Sequence, residues 1–238
     1  FNNQLASIQG CAEILGQELA DSPLRRYADI ISKACSRSSD LTRQLLAFAR
    51  KGKYLSVPVD LHEILTEVMG LIRHSFDKRI EISLQEDASS PTLLGDPAML
   101  ENALMNLAIN ARDAMPQGGK LGFRTELRTL DADFCAKMPF EMAPGPYILL
   151  SIQDSGIGLD SETIQHIFEP FFPTKGMGRG TGLALPSVYG TVRQHRGAIQ
   201  VMSEPGAGTR FELYLPQVAS APETADAVLP IPSKPSTA

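Results

Sequence analysis

The sequence predicts an α+β protein in which a helical hairpin, forming a dimeric four-helix bundle, precedes a two-layer α/β sandwich. Two features of the pattern support this fold class. Apolar residues recur at steps of four and three through residues 1–50, which is the spacing of helices with one buried seam. Beyond residue 57, alternating apolar runs are interspersed with amphipathic helical stretches, and this indicates helices covering one face of a mixed sheet.

Residues 1–52 are predicted to form two helices separated by the turn at Asp21, Ser22 and Pro23. Two helices alone cannot bury their common seam, so we expect a homodimer through residues 1–50. Gly52 is predicted to end the second helix, and residues 53–57 form a linker. The predicted seam consists of Phe1, Leu5, Ile8, Ala12, Leu15 and Leu19, followed by Leu24, Tyr27, Ile31, Ala34, Ser38, Leu41, Leu45 and Phe48.

Residues 58–217 are predicted to be a second domain, built on alternating strands and helices. Residues 128–146 show little periodicity and are predicted to be a loop or an insertion, and residues 218–238 are Pro-rich and predicted to be a disordered tail. A strand at Val57–Leu61 should enter a helix that buries Leu61, Ile64, Leu65, Val68, Leu71 and Ile72. Further strands are predicted around Ile80–Leu84 and Lys120–Leu127, in a central position at Tyr147–Gln153, and in a hairpin of Ala198–Met202 with Thr209–Leu215.

Composition and charge exclude several classes of protein. The formal charge of -5 and the absence of basic clusters give no support for a nucleic-acid partner. No apolar run approaches the roughly 20 residues that span a bilayer. The three cysteines are widely spaced, as expected for reduced thiols in the cytoplasm. Because the chain begins with Phe1 rather than Met, we expect it to be a piece of a longer protein, which leaves an upstream membrane anchor open.

Two glycine-rich stretches enclose a predicted nucleotide pocket. The first, from Asp154 to Gly158, follows an apolar strand, and the second, from Gly176 to Gly182, leads into a helix-like run. One such stretch alone would equally indicate an ordinary turn, but a pair of them, with a glycine turn feeding a helix N-terminus, favours a bound phosphate. Between the two lie an aromatic cluster and a cation, which suit a base and a flexible lid over phosphates: Phe168, Phe171, Phe172 and Lys175.

A polar stripe on a predicted helix supplies the other half of the pocket. Asp96 is a suitable N-cap and Pro97 suits the first helical position. The side chains of Asn106, Asn110 and Asp113 then align along one side of the helix. The alternative is a solvated stripe, but an exposed stripe would favour Lys and Glu over Asn, which is a poorer helix former. An amide oxygen is a suitable ligand for Mg²⁺.

These stretches together resemble the ATP-binding domain of the sensor histidine kinases, which shares the GHKL or Bergerat fold with DNA gyrase, the heat-shock-90 chaperones and the MutL proteins. The matching stretches are NLAINARDA, DSGIG, FEPFFPTK, GRGTGLAL and GAGTRFELYLP. By this resemblance, Asn110 would hold Mg²⁺ and Asp154 would bind the adenine amino group. Many relatives have other polar residues at the position of Asp113, which is expected to support the site through its place on the Asn stripe. The remaining ATP-contacting residues would be Asn106, Gly156, Gly158, Phe168 and Phe172, with Lys175, Gly178, Gly180, Thr181, Gly182 and Leu183 closing over the phosphates.

Asn106 separates two branches of this superfamily. The members that hydrolyse ATP carry a Glu at the matching position, four residues before the Asn that binds Mg²⁺, as a general base. An Asn cannot accept a proton at neutral pH. The resemblance therefore implies phosphoryl transfer rather than hydrolysis, with Asn106 and Lys175 as the catalytic positions of this domain.

The hairpin resembles the dimerisation and histidine-phosphotransfer hairpin of the same kinases, ending in LLAFARK. Their phosphoacceptor motif reads His-Asp/Glu-Phe-Asn-Asn, so the acceptor histidine would lie two positions before Phe1. Asn3 would then be the amide that orients a water for dephosphorylating a response regulator. The matching place is occupied by none of the chain's own histidines, His62, His74, His166 and His195.

The resemblance implies a two-component sensor kinase core that binds ATP and Mg²⁺. It would pass the γ-phosphoryl group to the histidine and then to an aspartate in a response-regulator receiver domain. A second hypothesis is a pseudokinase, a dimeric scaffold that binds nucleotide without transferring phosphate. A third, a gyrase-like ATPase, is disfavoured by Asn106.

Overall fold

The computed structural model describes residues 2–19, 22–32, 34–35, 38, 55–138, 142–172 and 181–218. The helices are α1 (Asn2–Glu18), α2 (described as helix over residues 25–32), α3 (Leu61–Ser75), α4 (Pro97–Ala114), α5 (Ala132–Lys137), α6 (Ser161–His166) and α7 (Ala184–Gln194). The strands are β1 (Val57–Asp60), β2 (Ile80–Glu86), β3 (Thr92–Gly95), β4 (Gly119–Leu130), β5 (Gly145–Asp154), β6 (Ala198–Glu204) and β7 (Gly208–Pro216).

The main sheet has five strands in the order β2-β4-β5-β7-β6. Strands β2 and β4 are parallel, whereas the other neighbours are antiparallel, so the sheet is mixed. The predicted central position of the strand around residues 147–153 is confirmed, as is the hairpin formed by β6 and β7. A second sheet pairs β1 with β3, a four-residue strand that the sequence did not predict.

Helices cover one face of the main sheet and give the predicted two-layer sandwich. Alternate residues of β5, such as Ile148, Leu150 and Ile152, point into a core that also contains Leu104 and Leu107 of α4. These five side chains are at most 2% exposed. The α+β class is therefore confirmed for this domain, with α3, α4 and α7 contributing to one continuous core.

The buried face of α3 differs from its prediction at one position. Leu71 was expected inside but is 51% exposed, whereas Met69 is 3% exposed. The physical reason is the helical period of 3.6 residues. Met69 is four residues after Leu65 and three before Ile72, both fully buried, so it extends their stripe, whereas Leu71 lies about 100° from Ile72 on the helix.

Residues 128–146 were predicted to be a loop or an insertion, and this prediction is wrong for most of them. Strand β4 continues to Leu130, α5 follows, and β5 begins at Gly145. Helix α5 covers part of the opposite face of the sheet, where Phe134 packs against Tyr214 with ring centroids 5.8 Å apart. The buried residues of this second cluster are Leu130, Cys135, Tyr147, Leu149, Ala198 and Tyr214. Residues 139–141 lie outside the described residues.

The two N-terminal helices pack through small residues. Ala12 of α1 and Ala28 of α2 are 3% and 4% exposed, and a Cβ on Gly16 would lie 3.8 Å from the Cβ of Ala28. The apolar seam is otherwise open, with Ile8, Leu15 and Ile31 between 41% and 49% exposed. The predicted end of the second helix at Gly52, the first two residues of the linker (53 and 54) and the predicted tail beyond residue 218 lie outside the described residues.

Residues 217 and 218 close the domain by joining the small sheet. Gln217 forms a β-bridge with Leu93, and the backbone N–H of Val218 donates to the carbonyl of Thr92 at 3.0 Å. Val218 was assigned to the disordered tail, so this pairing corrects the prediction by one residue. Within the part of the chain that the structure describes, no helix is both long and apolar enough to cross a bilayer.

Candidate functional site

Asp154 is a buried carboxylate at the end of the central strand. It is 6% exposed, and its Oδ1 accepts a hydrogen bond of 2.8 Å from the backbone N–H of Gly156. Burial raises the pKa of Asp154, while hydrogen bonds from the backbone N–H groups of Gly156 and Thr209 oppose that rise. The site therefore presents an acceptor in a largely dry environment, where a hydrogen bond from a ligand is strong.

The first glycine loop lies against the C-terminal end of α4. The backbone N–H of Ile157 donates to the carbonyl of Ala114 at 3.1 Å. A Cβ on Gly156 would lie 2.7 Å from that carbonyl oxygen and 2.8 Å from Oδ1 of Asp154. Only glycine allows this approach, so the DSGIG stretch is needed to bring the buried carboxylate beside the helix that carries the Asn stripe. Gly158, at φ 69°, continues the loop.

The stripe on α4 projects beside this loop. Asn106 and Asn110 are half-buried, and Asn110 is one helical turn before Ala114. The Nδ2 of Asn110 is buried and has no hydrogen-bond partner among the described residues. Such an amide group is stabilised only if a ligand or water supplies its partner. Asp113 is exposed, and its Oδ1 forms an ion pair with Nη2 of Arg112 at 2.8 Å.

The donor set at Asn110 suits Mg²⁺ held mainly by a substrate. No group of three or more His, Cys, Asp or Glu side chains that would hold a metal occurs within the described ranges. Mg²⁺ takes oxygen ligands, keeps several bound waters and is coordinated in part by the phosphate oxygens of a substrate. A single amide oxygen fits that role and would not suffice for a metal held by protein ligands alone, while the unpartnered amide nitrogen beside it can donate to a phosphate oxygen.

The second glycine stretch enters the described structure at Thr181. Gly182 has φ 65°, and its carbonyl accepts from the backbone N–H of Phe171 at 2.9 Å. A Cβ on Gly182 would lie 2.6 Å from the carbonyl carbon of Phe171, so this position also needs glycine. The loop therefore ends where it meets the aromatic segment, and α7 begins two residues later after the buried Leu183.

The aromatic residues occupy different places. The ring of Phe168 packs against Tyr189 of α7 with centroids 5.4 Å apart, and the ring of Phe172 lies 5.4 Å from that of His166. Phe171 is 66% exposed and has φ 65°, a conformation that is strained for a bulky residue. The structure thus places the backbone of Phe172 beside Gly182 and the ring of Phe168 against α7, while their contact with a base remains a prediction.

Several predicted residues are not described. Lys175, Gly178 and Gly180 lie outside the described residues, and the structure places the Asp154 loop against the end of α4 and Gly182 against Phe171 without them. Asn3 lies on α1, and its side chain also lies outside the described set.

The sequence missed backbone groups that complete the site. The N–H of Thr209 reaches Asp154, and the hydroxyl of Ser203 bonds both the carbonyl of Gly208 and the N–H of Leu159 at 2.8 Å. The GAGTRF stretch was the available signal, because its glycine turn returns β7 beside Asp154. The carbonyl of Ala114 left no signal, since every residue has one.

Comparison with known proteins identifies the domain that contains this site. Residues 95–219 match the family model described as histidine kinase-, DNA gyrase B-, and HSP90-like ATPase. The chain is 36% identical over 231 residues to the sensor kinase CckA of Brucella abortus (strain 2308). That alignment covers 95% of this chain and 24% of CckA, so the chain spans about a quarter of that relative.

Two solved structures share the fold. Full-length ShkA in complex with AMPPNP is 25% identical, with a TM-score of 0.63 over 93% of this chain and 47% of ShkA. The mycobacterial sensor histidine kinase MprB is 28% identical, with a TM-score of 0.53 over 68% of this chain and 97% of the solved chain. The family match covers more than half of the chain and includes Asn110, Asp154 and Gly182. The chain therefore belongs to the histidine kinase-, DNA gyrase B- and HSP90-like ATPase family, with an ATP-binding domain of the histidine kinase type.

Proposed function

We propose that this chain binds ATP with Mg²⁺ between the Asp154 loop, the Asn stripe of α4 and the Thr181–Leu183 segment. The observation that carries the proposal is the unpartnered, buried amide of Asn110, one helical turn from the loop of the buried Asp154. The Nδ2 of Asn110 needs an acceptor that a nucleotide would supply, and the carboxylate of Asp154, which accepts from the backbone N–H groups of Gly156 and Thr209, has lone pairs for a further donor. The relative ShkA, solved with AMPPNP, supports the same ligand class.

In this proposal the chain's own residues bind and orient the nucleotide. The carboxylate of Asp154 accepts a hydrogen bond from an adenine amino group, and the backbone of Gly156 and Gly158 leaves room for the base. Asn110 supplies an oxygen ligand, and Mg²⁺, when bound, neutralises charge on the phosphate oxygens. Lys175 and the loop from Gly178 to Gly182 close over the phosphates. The protein's contribution is positioning and electrostatic stabilisation, not covalent chemistry.

We further propose a protein histidine kinase activity. Phosphate would pass to a histidine two positions before Phe1 and from there to an aspartate of a response-regulator receiver domain. Kinship with the sensor kinase CckA supports this activity. Asn106 supports transfer over hydrolysis, because the half-buried amide cannot deprotonate water. Since the reaction consumes ATP, we expect it to take place in the cytoplasm.

Two finer proposals concern the hairpin. The exposed apolar side chains of α1 and α2 support a homodimer through residues 1–50, with the hairpin as residues 1–52 and the ATP-binding domain as residues 58–217. Asn3 is proposed to orient a water for dephosphorylation of the response regulator. If so, Asn3→Ala should slow loss of phosphate from a phosphorylated receiver domain while leaving ATP binding unchanged.

The kinase proposal is tested by labelling with γ-labelled ATP and Mg²⁺. The 238-residue chain should bind ATP but acquire no label. The same chain preceded by His-Glu should acquire a label that is lost in acid, since a phosphoramidate hydrolyses readily there. A matched control preceded by Ala-Glu should stay unlabelled.

Two outcomes would contradict the proposal in different ways. If the extended chain binds ATP and remains unlabelled, the pseudokinase hypothesis is favoured. Rapid steady turnover of ATP by the 238-residue chain would instead favour the hypothesis of a gyrase-like ATPase.

A further inference from the structure

The ring of His195 joins the ends of two helices that carry the proposed site. His195 follows the last residue of α7 and is 3% exposed. Its Nε2 accepts a hydrogen bond of 2.9 Å from the backbone N–H of Asp96, the N-cap of α4. Its Nδ1 lies 2.7 Å from the carbonyl of Thr191. A backbone N–H only donates, so Nε2 carries no proton and the neutral ring donates from Nδ1 to Thr191.

The two helices run in opposite directions from this contact. Because α7 packs along α4 in the same core and its end meets the start of α4, the start of α7 lies toward the end of α4. Twelve residues separate His195 from Leu183, which is about 18 Å of helix at 1.5 Å per residue. The same distance from Asp96 along α4 reaches the level of residues 108–110. The axial position of α7 therefore sets the level of the Thr181–Leu183 segment relative to Asn110 on α4.

Close packing leaves the contact little freedom. A Cβ on Gly95 would lie 2.5 Å from Cδ2 and 2.6 Å from Nε2 of His195, so the backbone before Asp96 lies against the ring. Asp96 also accepts from the backbone N–H of Met99 at 3.2 Å and of Leu55 at 3.4 Å. One residue thus holds the start of α4, the end of α7 and the chain entering the domain.

We infer that His195 is a positioning residue for nucleotide binding, which sets the axial position of α7 against α4 through the backbone of Asp96. This inference rests on the proposed binding of ATP at the other end of the two helices. Loss of the hydrogen bond lets α7 slide or tilt, and a displacement of the Thr181–Leu183 segment misplaces it relative to Asn110. The ring touches no nucleotide, so its effect reaches the site only through the helices.

The test is titration of the 238-residue chain with AMPPNP and Mg²⁺ by calorimetry. His195→Leu fills the space without an acceptor, and affinity should fall about tenfold, as expected when a distant change misplaces a binding group. His195→Gln keeps an acceptor at similar reach and should stay within about twofold of wild type. Gly95→Ala should displace the unmodified ring and weaken binding as His195→Leu does.

A stability control separates positioning from general destabilisation. Leu149 is 1% exposed and belongs to the cluster on the opposite face of the sheet. Leu149→Ala should lower the melting temperature and leave affinity unchanged, measured well below that temperature. If His195→Leu does not fold, Gly95→Ala decides the question by the same titration.

The inference is overturned if His195→Leu or, where that variant is unfolded, Gly95→Ala binds as tightly as wild type. It is also overturned if His195→Gln is as weak as His195→Leu, or if Leu149→Ala weakens binding equally. In all of these cases the wild-type chain binds AMPPNP. A wild-type chain that does not bind overturns the proposed function and this inference with it.

Discussion

The carboxylate of Asp154 accepts a hydrogen bond from the backbone N–H of Gly156, two residues further along the chain and 2.8 Å away. This contact fixes one oxygen of a side chain that is only 6% exposed. Because Gly156 also lies against the carbonyl of Ala114, the same turn sets the distance between the carboxylate and helix α4. The acceptor for a base and the helix bearing Asn110 are therefore positioned by one short loop.

Asp154→Asn should weaken ATP binding about tenfold to hundredfold, because hydrogen bonds to charged groups contribute about 1.5–3 kcal/mol. The amide can present a donor where adenine needs an acceptor, so preference for ATP over GTP should fall as well. Calorimetric titration with each nucleotide measures both effects. Asp160→Asn is the matched control, since Asp160 caps α6 at an exposed position and Asn caps equally well. Unchanged affinity and selectivity in Asp154→Asn would refute the adenine assignment.

Asn110→Ala should weaken binding mainly when Mg²⁺ is present, because the variant loses an oxygen ligand. In Mg²⁺ the affinity for ATP should fall about tenfold or more, as expected when a charge-assisted contact to the ligand is removed. Titrations of ATP in Mg²⁺ and in EDTA give the comparison. Asn102, two turns earlier on the same helix, is exposed and bonds only the backbone of Ala98 among the contacts described, so Asn102→Ala is the control. An equal loss in Mg²⁺ and EDTA would argue against a metal ligand at Asn110.

Asp substitutions at Ile8 and Leu15 should convert the proposed dimer to a monomer. Both side chains are about half exposed in the single chain, and the substitutions leave the buried residues between α1 and α2, Ala12 and Ala28, unchanged. Burying a carboxylate in a helical seam is strongly unfavourable. Light scattering with size-exclusion chromatography gives the mass, and Ala6→Asp with Gln17→Asp, at exposed positions away from that stripe, is the control. A double variant that stays dimeric would contradict the seam.

The buried ring of His195 predicts an acid-sensitive stability. Burial lowers the pKa of His195 below its ordinary value of 6.5, while the hydrogen bond to the carbonyl of Thr191 and the charge of Asp96 partly oppose that shift. A lowered pKa means that the unfolded chain binds more protons, so stability from the neutral ring is complete above about pH 6.5 and is lost as pH falls through the folded-state pKa. Urea unfolding between pH 5 and 8, run on wild type and on His195→Gln, should show a steeper decline for wild type. If the free energy of unfolding falls equally with decreasing pH in wild type and in His195→Gln, this prediction is contradicted.

The sequence predicted the elements that have a clear period or cap. An apolar run marked β5, and Asp96 with Pro97 marked the start of α4, where the Asp96 side chain does accept from the backbone N–H of Met99. It did not predict α5 or β3, because segments of six and four residues are too short for a period to show.

Contacts between residues that are far apart in the chain could not be predicted from the sequence either. The bond between Asp96 and His195 joins positions 99 residues apart, and no local pattern distinguishes this histidine from His62, which bonds Thr125 instead. Both are ordinary polar residues in the sequence. Only the packing of α7 beside α4 shows which one holds the two helices together.

Asn106→Glu should turn the chain toward hydrolysis. Asn106 lies one helical turn before Asn110 on the half-buried stripe, so a carboxylate there would face the same nucleotide and could take a proton from water. General-base catalysis contributes about 10²–10⁴ in rate, and we expect the steady ATP turnover of the variant to exceed that of wild type at least about tenfold. Phosphate release under saturating ATP and Mg²⁺ measures the turnover.

Asn102→Glu, one turn earlier at an exposed position, should leave turnover at the wild-type level. Adding Asn110→Ala to Asn106→Glu should abolish the gain, because the nucleotide is then poorly held. No gain in Asn106→Glu, with ATP demonstrably bound, would show that this position does not face the γ-phosphate, and the case for transfer over hydrolysis would lose its support from Asn106.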